Sequence, residues 1–295
     1  PRDRHHGGAA MSGIYRSVAG AAAVGQQYRA LLDRWPVPNR QRHLPTRHGD
    51  TFVISSGPES APPVLLLHGA GPTAATWLAD VTAWSRRHRV HAVDLIGEPG
   101  LSAPTRAPLT STAHADWLDD VLAGLRLSTA TFVGMSLGGW LATDYATRHP
   151  DRVDRLALLC PGGIGRQRLG VIGSALLLAP FGTWGRRTLG RVVLGPGSGP
   201  LLRRGEPFGE YLLLIQRQVR PRRVQLPVFA DEALRRLTMP VLAIVGGRDF
   251  LFDSADTQRR LERNASASTV VALPTAGHLL LGQTERIAAF LSAEP

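Results

Sequence analysis

The sequence predicts an α/β fold with a mostly parallel central sheet, flanked by helices and interrupted by an inserted helical cap. Three observations lead to this prediction. Short apolar runs recur along the chain, helix-compatible segments separate most of them, and one long stretch (162–238) lacks such runs. Strands of a parallel sheet are buried on both faces, so they read as continuous apolar runs rather than as alternating ones.

Seven runs are predicted as strands, and the segments between them supply the helices. The strands are TFVIS (51–55), VLLLH (64–68), VHAVD (90–94), TFVGM (131–135), LALLC (156–160), VLAIV (241–245) and TVVAL (269–273). Helices are expected at 75–87, 113–127, 137–149 and 256–264, and a further helix at 17–35 is expected to pack on the outside. Helices that alternate with apolar strands are typical of a parallel sheet.

The alternation breaks once, between the fifth and sixth strands, where proline and glycine interrupt short helical patterns. We therefore predict a leader and helix at 1–45, a core formed by 46–161 and 239–295, and a helical cap at 162–238. Within the cap, the apolar stretch 171–181 is interpreted as a buried or cleft-lining helix, because it is shorter than the roughly 20 residues that span a bilayer.

The charge of the chain is strongly basic and unevenly distributed. The net charge is +11, all 34 basic residues are arginine, and 162–238 holds 13 arginines against four acidic residues. This excess indicates either an arginine-rich surface or a surface that attracts an anionic substrate or an acidic partner. Nucleic acid is not expected as a partner, since no recognised binding motif is present.

The cysteine count and the N-terminus bear on location. The single Cys160 cannot form an internal disulfide, which agrees with a cytoplasmic protein. Residues 1–10 resemble an unstructured leader, an extension from an upstream start or a stretch that is not native, and the run that follows lacks the leucine-rich core of a secretory signal. No membrane span is expected, and a homodimer stays open as the oligomeric state.

Polar residues follow four of the predicted strands, at the sheet edge where ligands bind in such folds. Ser136 stands inside a Gly-x-Ser-x-Gly motif (134–138), Asp249 follows VLAIVGGR, His278 follows TVVALPTAG, and the loop HGAG (68–71) follows VLLL. Tight turns between a strand and a helix need glycine, because backbone must approach backbone closely.

These residues suit nucleophilic catalysis. A serine hydroxyl needs a general base, and a histidine serves when a carboxylate fixes its tautomer, so we predict the catalytic set Ser136, Asp249 and His278. Asp253 and Asp256 compete with Asp249, but they lie further from the strand end, and Asp256 is interpreted as a helix N-cap.

The same turn predicts an oxyanion hole from backbone N–H groups. Leu137, at the start of the predicted helix, supplies one donor, and Ala70 is expected to supply the second. His68 is expected to organise the oxyanion loop rather than act as base. The residues expected at the substrate site are His68, Gly69 and Met135.

Five segments together resemble an α/β-hydrolase fold enzyme of the carboxylesterase type: VLLLHGAGPTAATW, VHAVDLIGEPGLS, FVGMSLGGWLATDYATRHPDRVDRLALLCPGG, VLAIVGGRDFLFD and LPTAGH. The resemblance runs from about 52 to 290 and is weakest across 165–230. It implies that Ser136 attacks an ester carbonyl and that His278, oriented by Asp249, activates water. The family more often has His-Gly where Glu98 begins the sequence Glu-Pro-Gly, so Glu98 is assigned a structural role.

Other functions of the same fold stay open. A thioesterase or lactonase, whose basic cap would dock an acidic carrier protein, a C–C bond hydrolase and a perhydrolase would keep the same triad. A non-catalytic receptor is disfavoured, since it has no need of Asp249 and His278 together. Enzymes with an aspartate nucleophile are excluded by Ser136. The expected substrate is a small-molecule ester, with an anionic ester as one option. Neither a metal nor a redox cofactor is expected.

Overall fold

A twisted sheet forms the centre of the protein. The computed structural model describes residues 13–168, 170, 177–195, 198–199, 203, 205–222 and 225–293. Within these ranges eight strands form one sheet: β1 (Asn39–Leu44), β2 (Thr51–Ser56), β3 (Pro63–Leu67), β4 (Arg89–Val93), β5 (Ala130–Met135), β6 (Val153–Leu159), β7 (Val241–Gly246) and β8 (Ser268–Leu273).

The order of the strands is β1-β2-β4-β3-β5-β6-β7-β8. From β4 to β8 all neighbours are parallel, whereas β1 pairs with β2 and β2 with β4 in antiparallel fashion. Each of the seven predicted runs is a strand, to within three residues at either end. The fold class predicted from the apolar runs is therefore confirmed.

Strand β1 was not predicted, because its sequence NRQRHL is polar. It lies at the edge of the sheet and exposes most of its side chains, with only Leu44 buried. An edge strand needs no apolar run, and charged side chains there hinder pairing with other chains. Backbone pairing with β2 holds β1, and such pairing leaves no signal in the side-chain pattern.

Helices cover both faces of the sheet. They are α1 (Val18–Leu32), α2 (Val81–Trp84), α3 (Ala113–Leu125), α4 (Leu137–Arg148), α5 (Gly182–Leu194), α6 (Pro207–Gln218), α7 (Asp231–Leu234), α8 (Ser254–Asn264) and α9 (Thr284–Leu291), with a 3₁₀ helix at Ala74–Trp77. One apolar cluster packs α3, α4 and α8 on the sheet, and the other packs α1, α2, α6 and α9 on the opposite face.

Two helix predictions were wrong in detail. The continuous helix expected at 75–87 is instead a 3₁₀ turn followed by α2, and between them Asp80 accepts a hydrogen bond of 2.5 Å from Thr284 of α9. Asp256 is not the N-cap of α8. Asp253 caps that helix, because its carboxylate accepts the N–H of Asp256 at 3.0 Å.

The predicted N-terminal helix is α1, which packs one face against α6 and the 3₁₀ helix after β3 and exposes the other. Tyr28 is fully buried there. Its ring stacks on Tyr211 of α6 at a centroid distance of 5.8 Å and meets Phe52 of β2 edge to face at 6.4 Å. Its hydroxyl donates to Asp94, just beyond β4, at 2.8 Å.

Between β6 and β7 the described residues form α5, α6 and α7, and the boundaries 162–238 of the cap stay a prediction. Of the helix predicted at 171–181, residues 171–176 lie outside the described residues, as does the leader predicted at 1–10. Leu177 and Phe181 are exposed, so that end is not buried, and the alternative of a cleft-lining helix stays a prediction. No helix in the described ranges is long and apolar enough to cross a membrane.

Helix α4 approaches the sheet so closely that one glycine has no room for a side chain. A Cβ at Gly138 would overlap the carbonyl oxygens of Leu67 and His68. We predict that Gly138→Ala lowers the free energy of unfolding by about 2–3 kcal/mol, because backbone must shift to admit the methyl group. Urea unfolding followed by circular dichroism measures the change.

The matched control is Gly25→Ala in the middle of α1, where a Cβ would contact only the flexible end of Arg29 at 3.4 Å. That variant is expected to be more stable by about 0.5–1 kcal/mol, since alanine favours a helix interior over glycine. Equal effects of the two substitutions would contradict the close approach at Gly138.

Candidate active site

The turn from β5 into α4 places Ser136 in an unusual backbone conformation. Its φ is +53° and its ψ is −110°, in the region that favours glycine. The turn is held on both sides: the Ser136 N–H donates to the carbonyl of Leu159 at 3.0 Å, and its carbonyl accepts the N–H of Trp140 at 2.9 Å. Such strain persists only where the surroundings fix it, and it is frequent at active sites.

Glycines make this turn sterically feasible. A Cβ at Gly134 would lie 2.5 Å from the carbonyl oxygen of Gly138, so the strand and the helix cross almost in contact. The first N–H groups of an α-helix have no partner within the helix, and those of α4 lie at this turn. Leu137 is the first residue of α4, which is where the predicted oxyanion donor belongs.

The loop after β3 runs beside the serine. A Cβ at Gly69 would lie 3.5 Å from the Cβ of Ser136. Gly69 is buried, Ala70 is exposed, and Met135 and Ser136 are half-buried at the end of β5. The predicted nucleophile, the loop with Ala70 and the predicted substrate residues Gly69 and Met135 are thus neighbours at one edge of the sheet.

The ring of His68 holds this loop and is unsuited to act as a base. Its Nε2 accepts the N–H of Leu95 at 3.0 Å, so the proton of the neutral ring sits on Nδ1, which donates to the carbonyl of Gly69 at 2.7 Å. Burial lowers the pKa of His68 to about 4, although the bond to Gly69 opposes that shift. Both nitrogens of the fully buried ring are occupied by backbone groups, and its role in an oxyanion loop stays a prediction.

Asp249 and His278 are in direct contact. Nδ1 of His278 lies 2.8 Å from Oδ2 of Asp249, and both side chains are buried. They meet because β7 and β8 are parallel neighbours and each residue follows the end of its strand. The ring of Phe252 stands edge to face against His278 at 5.3 Å.

Hydrogen bonds keep the Asp249 carboxyl ionised. Burial alone would raise its pKa, but the hydrogen bond and charge of His278 and the N–H groups of Leu251 (2.7 Å) and Phe252 (3.2 Å) lower it below the usual range. An ionised carboxylate on Nδ1 leaves Nε2 of His278 free to take a proton.

The two competing aspartates are engaged elsewhere. Asp253 caps α8, and Asp256 accepts the N–H of Arg166 at 3.0 Å and pairs with Arg259 at 2.9 Å. Asp249 is therefore the carboxylate that the fold places against the histidine. Hydrogen bonding between Ser136 and His278 stays a prediction.

Strand β6 connects the serine turn to the histidine loop. Its last residues accept the Ser136 N–H, as described above, and the thiol of the next residue, Cys160, donates to the carbonyl of Gly277 at 3.8 Å. Cys160 has a φ of +41° and is buried. Burial raises the pKa of its thiol well above the usual value, which disfavours a nucleophilic thiolate.

Within the described residues, one group of side chains has metal-ligand spacing: Cys160, Asp249 and His278 offer ligand atoms that lie within 4.8 Å of one another. Those atoms are already engaged, since Asp249 binds His278 and two backbone N–H groups, and the thiol meets a carbonyl. This arrangement fits an acid–base pair better than a metal centre.

The end of α5, in the predicted cap, contacts the loop that carries His278 directly. The N–H of Leu279 donates to the carbonyl of Leu194, the last residue of α5, at 2.9 Å. Gly195 and Gly277 approach so closely that a Cβ on either would lie 2.5 Å from the Cα of the other. Sequence reasoning missed these contacts, because a glycine–glycine approach between distant segments has no signature in one sequence.

The profile of the alpha/beta hydrolase family matches residues 64–290. The chain belongs to this family. A Bacillus subtilis protein named as the uncharacterized carboxylesterase nap is 31% identical over 283 residues, covering 91% of this chain and 92% of that protein. Carboxylesterase YbfK of the same organism is 32% identical over 259 residues, covering 86% of this chain and 87% of that protein.

Solved structures of similar hydrolases agree with the fold. The crystal structure of carboxylesterase CesB (YbfK) from Bacillus subtilis matches with a TM-score of 0.82 at 28% identity and covers 94% of this chain and all (100%) of that one. Naproxen esterase (carboxylesterase NP) from Bacillus subtilis matches with a TM-score of 0.79 at 28% identity, covering 90% and 96%.

The contact between Asp249 and His278 generates a test in this hydrolase. We predict that Asp249→Asn lowers kcat by about 10³–10⁴-fold, because an amide that donates toward Nδ1 favours the wrong tautomer of His278. Its remaining oxygen still accepts the N–H groups of Leu251 and Phe252, so the fold is expected to persist. Steady-state hydrolysis of p-nitrophenyl acetate measures the effect.

Asp253→Asn is the matched control, since asparagine caps a helix about as well as aspartate. It is expected to retain activity within about threefold, because an N-cap replacement leaves the histidine contact intact. If Asp253→Asn were inactive and Asp249→Asn active, the assignment of Asp249 as the acid that orients His278 would be contradicted.

Proposed function

We propose that this alpha/beta hydrolase cleaves carboxylic esters through an acyl-enzyme intermediate on Ser136. The observation that carries the proposal is the buried hydrogen bond of 2.8 Å between His278 and Asp249, at the same sheet edge as the strained turn of Ser136. The two Bacillus subtilis relatives, which are named as carboxylesterases and cover most of the chain, support an ester as the substrate.

Acylation would begin with attack of the Ser136 hydroxyl oxygen on the ester carbonyl carbon, while Nε2 of His278 takes the hydroxyl proton. Asp249 stabilises the imidazolium that forms. The negative charge on the carbonyl oxygen would be met by the N–H groups of Leu137 and Ala70. Losing one such donor typically costs about 3 kcal/mol of transition-state stabilisation.

Collapse of the tetrahedral intermediate would expel the alcohol, which receives its proton from His278. A water molecule, deprotonated by the same Nε2, would then attack the acyl carbon on Ser136. The second collapse releases the carboxylic acid and returns the proton to the serine oxygen. The chemistry requires the buried pair and the turn, and it consumes only ester and water.

The positive charge of the cap favours a second candidate substrate class, which is anionic. The thioesters carried by an acidic carrier protein are the specific case. The region 162–238 has 13 arginines and four acidic residues, and Arg191, Arg203 and Arg217 are exposed. Part of the excess is neutralised internally, since Arg187 pairs with Glu210 at 3.0 Å. Because the remaining charge excess is smaller than the sequence suggests, carboxylic esters stay the preferred substrate class. The proposal also includes cytoplasmic residence.

The nucleophile is tested by Ser136→Ala, with Ser111→Ala, a half-buried serine just before α3, as control. We predict that Ser136→Ala lowers kcat for p-nitrophenyl acetate by at least about 10⁴-fold, since removal of the nucleophile leaves only binding and the oxyanion hole. Labelling by a fluorophosphonate is expected to disappear in the same variant. Ser111→Ala is expected to behave as wild type in both assays.

Wild-type turnover of a panel of esters, lactones and thioesters then separates the candidate classes. The proposal expects ester hydrolysis to have the highest kcat/KM. A Ser136→Ala variant that stays folded with activity within about tenfold of wild type would contradict the assignment of the nucleophile.

A further inference from the structure

One buried carboxylate joins the oxyanion loop to the cap. Oε2 of Glu98 accepts the N–H of Gly71 at 3.0 Å, and Oε1 accepts from Nε of Arg222 at 3.1 Å. The two side chains of the ion pair are only 2% and 8% exposed. Glu98 therefore has a different partner on each oxygen, one in the loop beside Ser136 and one in the segment that follows α6.

The contact on the loop side lies next to the proposed oxyanion donor. Ala70 stands between two fixed peptide groups: His68 binds the carbonyl of Gly69 at 2.7 Å, and Glu98 binds the N–H of Gly71. Further on, the N–H of Ala74 donates to Asp94 at 2.9 Å. Loss of the Glu98 contact would release the peptide group directly after Ala70, while the other two contacts stay in place.

On the cap side, Arg222 belongs to the segment 218–222, which further hydrogen bonds attach to the rest of the protein. The backbone of residues 14–16 pairs with 218–220, through the N–H groups of Arg16 and Arg220, each at 2.7 Å. Arg106 donates to the carbonyl of Gly97 at 2.8 Å and to that of Arg220 at 3.0 Å. The turn around Glu98 is thus attached to this segment by Arg106 as well as by Arg222.

Because both side chains of the ion pair are buried, each depends on the other for its counter-charge. A carboxylate at this depth without a counter-charge is strongly unfavourable, and breaking such a pair by removing one partner is costlier than removing both. The position of Arg222 consequently influences where the carboxylate of Glu98 lies, and through it the N–H of Gly71.

We propose that Glu98 is a positioning residue that couples the seating of the cap segment at Arg222 to the geometry of the oxyanion loop. The inference rests on the proposed function, specifically on the role of the Ala70 N–H as an oxyanion donor. Glu98 does not touch the reacting atoms. It acts through Gly71, and its effect is expected on transition-state stabilisation rather than on substrate affinity.

The test uses Glu98→Ala, Arg222→Met and the double variant in the full-length protein, with kcat and KM for p-nitrophenyl acetate and the inhibition constant of butylboronic acid as readouts. A boronate forms a tetrahedral adduct on a serine nucleophile and reports the oxyanion hole separately from substrate binding. Loss of an oxyanion donor costs about 10²–10³ in kcat, so Glu98→Ala is expected to lower kcat by about 10–100-fold, with KM changed less than about threefold.

The affinity for the boronate is expected to fall by the same factor as kcat. Arg222→Met is expected to lower both quantities by a smaller factor, because Gly71 keeps its acceptor. The double variant is expected to be within about twofold of Glu98→Ala, since the two residues act through one contact. If Glu98→Ala does not fold, Glu98→Gln replaces it in the test. This variant keeps an oxygen for Gly71 but loses the charge, so it is expected to lower kcat and boronate affinity by a smaller factor.

Glu210→Ala is the matched control, since it removes a carboxylate that pairs with an arginine inside the cap, Arg187, away from the oxyanion loop. It is expected to leave kcat and the boronate constant unchanged. Independent, multiplicative effects of Glu98→Ala and Arg222→Met, or a rise in KM without loss of kcat, would overturn the proposal. Failure of wild type to react with a fluorophosphonate would instead overturn the proposed function, so the two failures are distinguishable.

Discussion

The backbone at Ser136 is the constraint on which the rest of the site depends. A positive φ at a residue with a side chain is unfavourable, and it is held here by the backbone hydrogen bonds of Ser136 to Leu159 and Trp140. The glycines at 134 and 138 allow the close crossing. The helix begins immediately after the serine, so its first N–H groups lie at the sheet edge that carries Ser136.

Parallel order brings the remaining groups to that edge. Strands β3, β5, β6, β7 and β8 are consecutive neighbours, so the segments after their ends share one side of the sheet. Two histidines in these segments have opposite environments. His68 has both ring nitrogens bound to backbone, and burial lowers its pKa to about 4. His278 has an ionised aspartate on Nδ1 and thus suits proton transfer.

Much of the fold could be predicted from the sequence, because the buried parallel strands leave continuous apolar runs that no surface strand shows. β1 could not, since NRQRHL lies at an exposed edge and is held by backbone pairing. The helix expected after β3 is a 3₁₀ turn and α2, and the contact of Asp80 with Thr284 that lies between them has no signature in the sequence. The N-cap of α8 is Asp253 rather than Asp256.

For the site, the candidate residues that follow strand ends could be predicted from the sequence, and in the structure Asp249 and His278 are in direct contact. Their catalytic roles remain predictions. The link from Gly71 through Glu98 to Arg222 was not accessible, because the ion pair joins residues 124 positions apart. Only the unusual sequence Glu-Pro-Gly after β4 gave a signal, and it indicated a structural role without naming the partners.

The acyl-enzyme on Ser136 is the most direct point at which to test the proposed chemistry. Rapid acid quenching of the enzyme during hydrolysis of p-nitrophenyl acetate, followed by peptide mass mapping, locates any acetyl group. Acetylation of the peptide that contains Ser136, formed and lost at rates compatible with turnover, is the predicted result. Continued turnover with the acetyl group on another residue, such as Cys160, or with no acetylated peptide at all, would contradict the proposal.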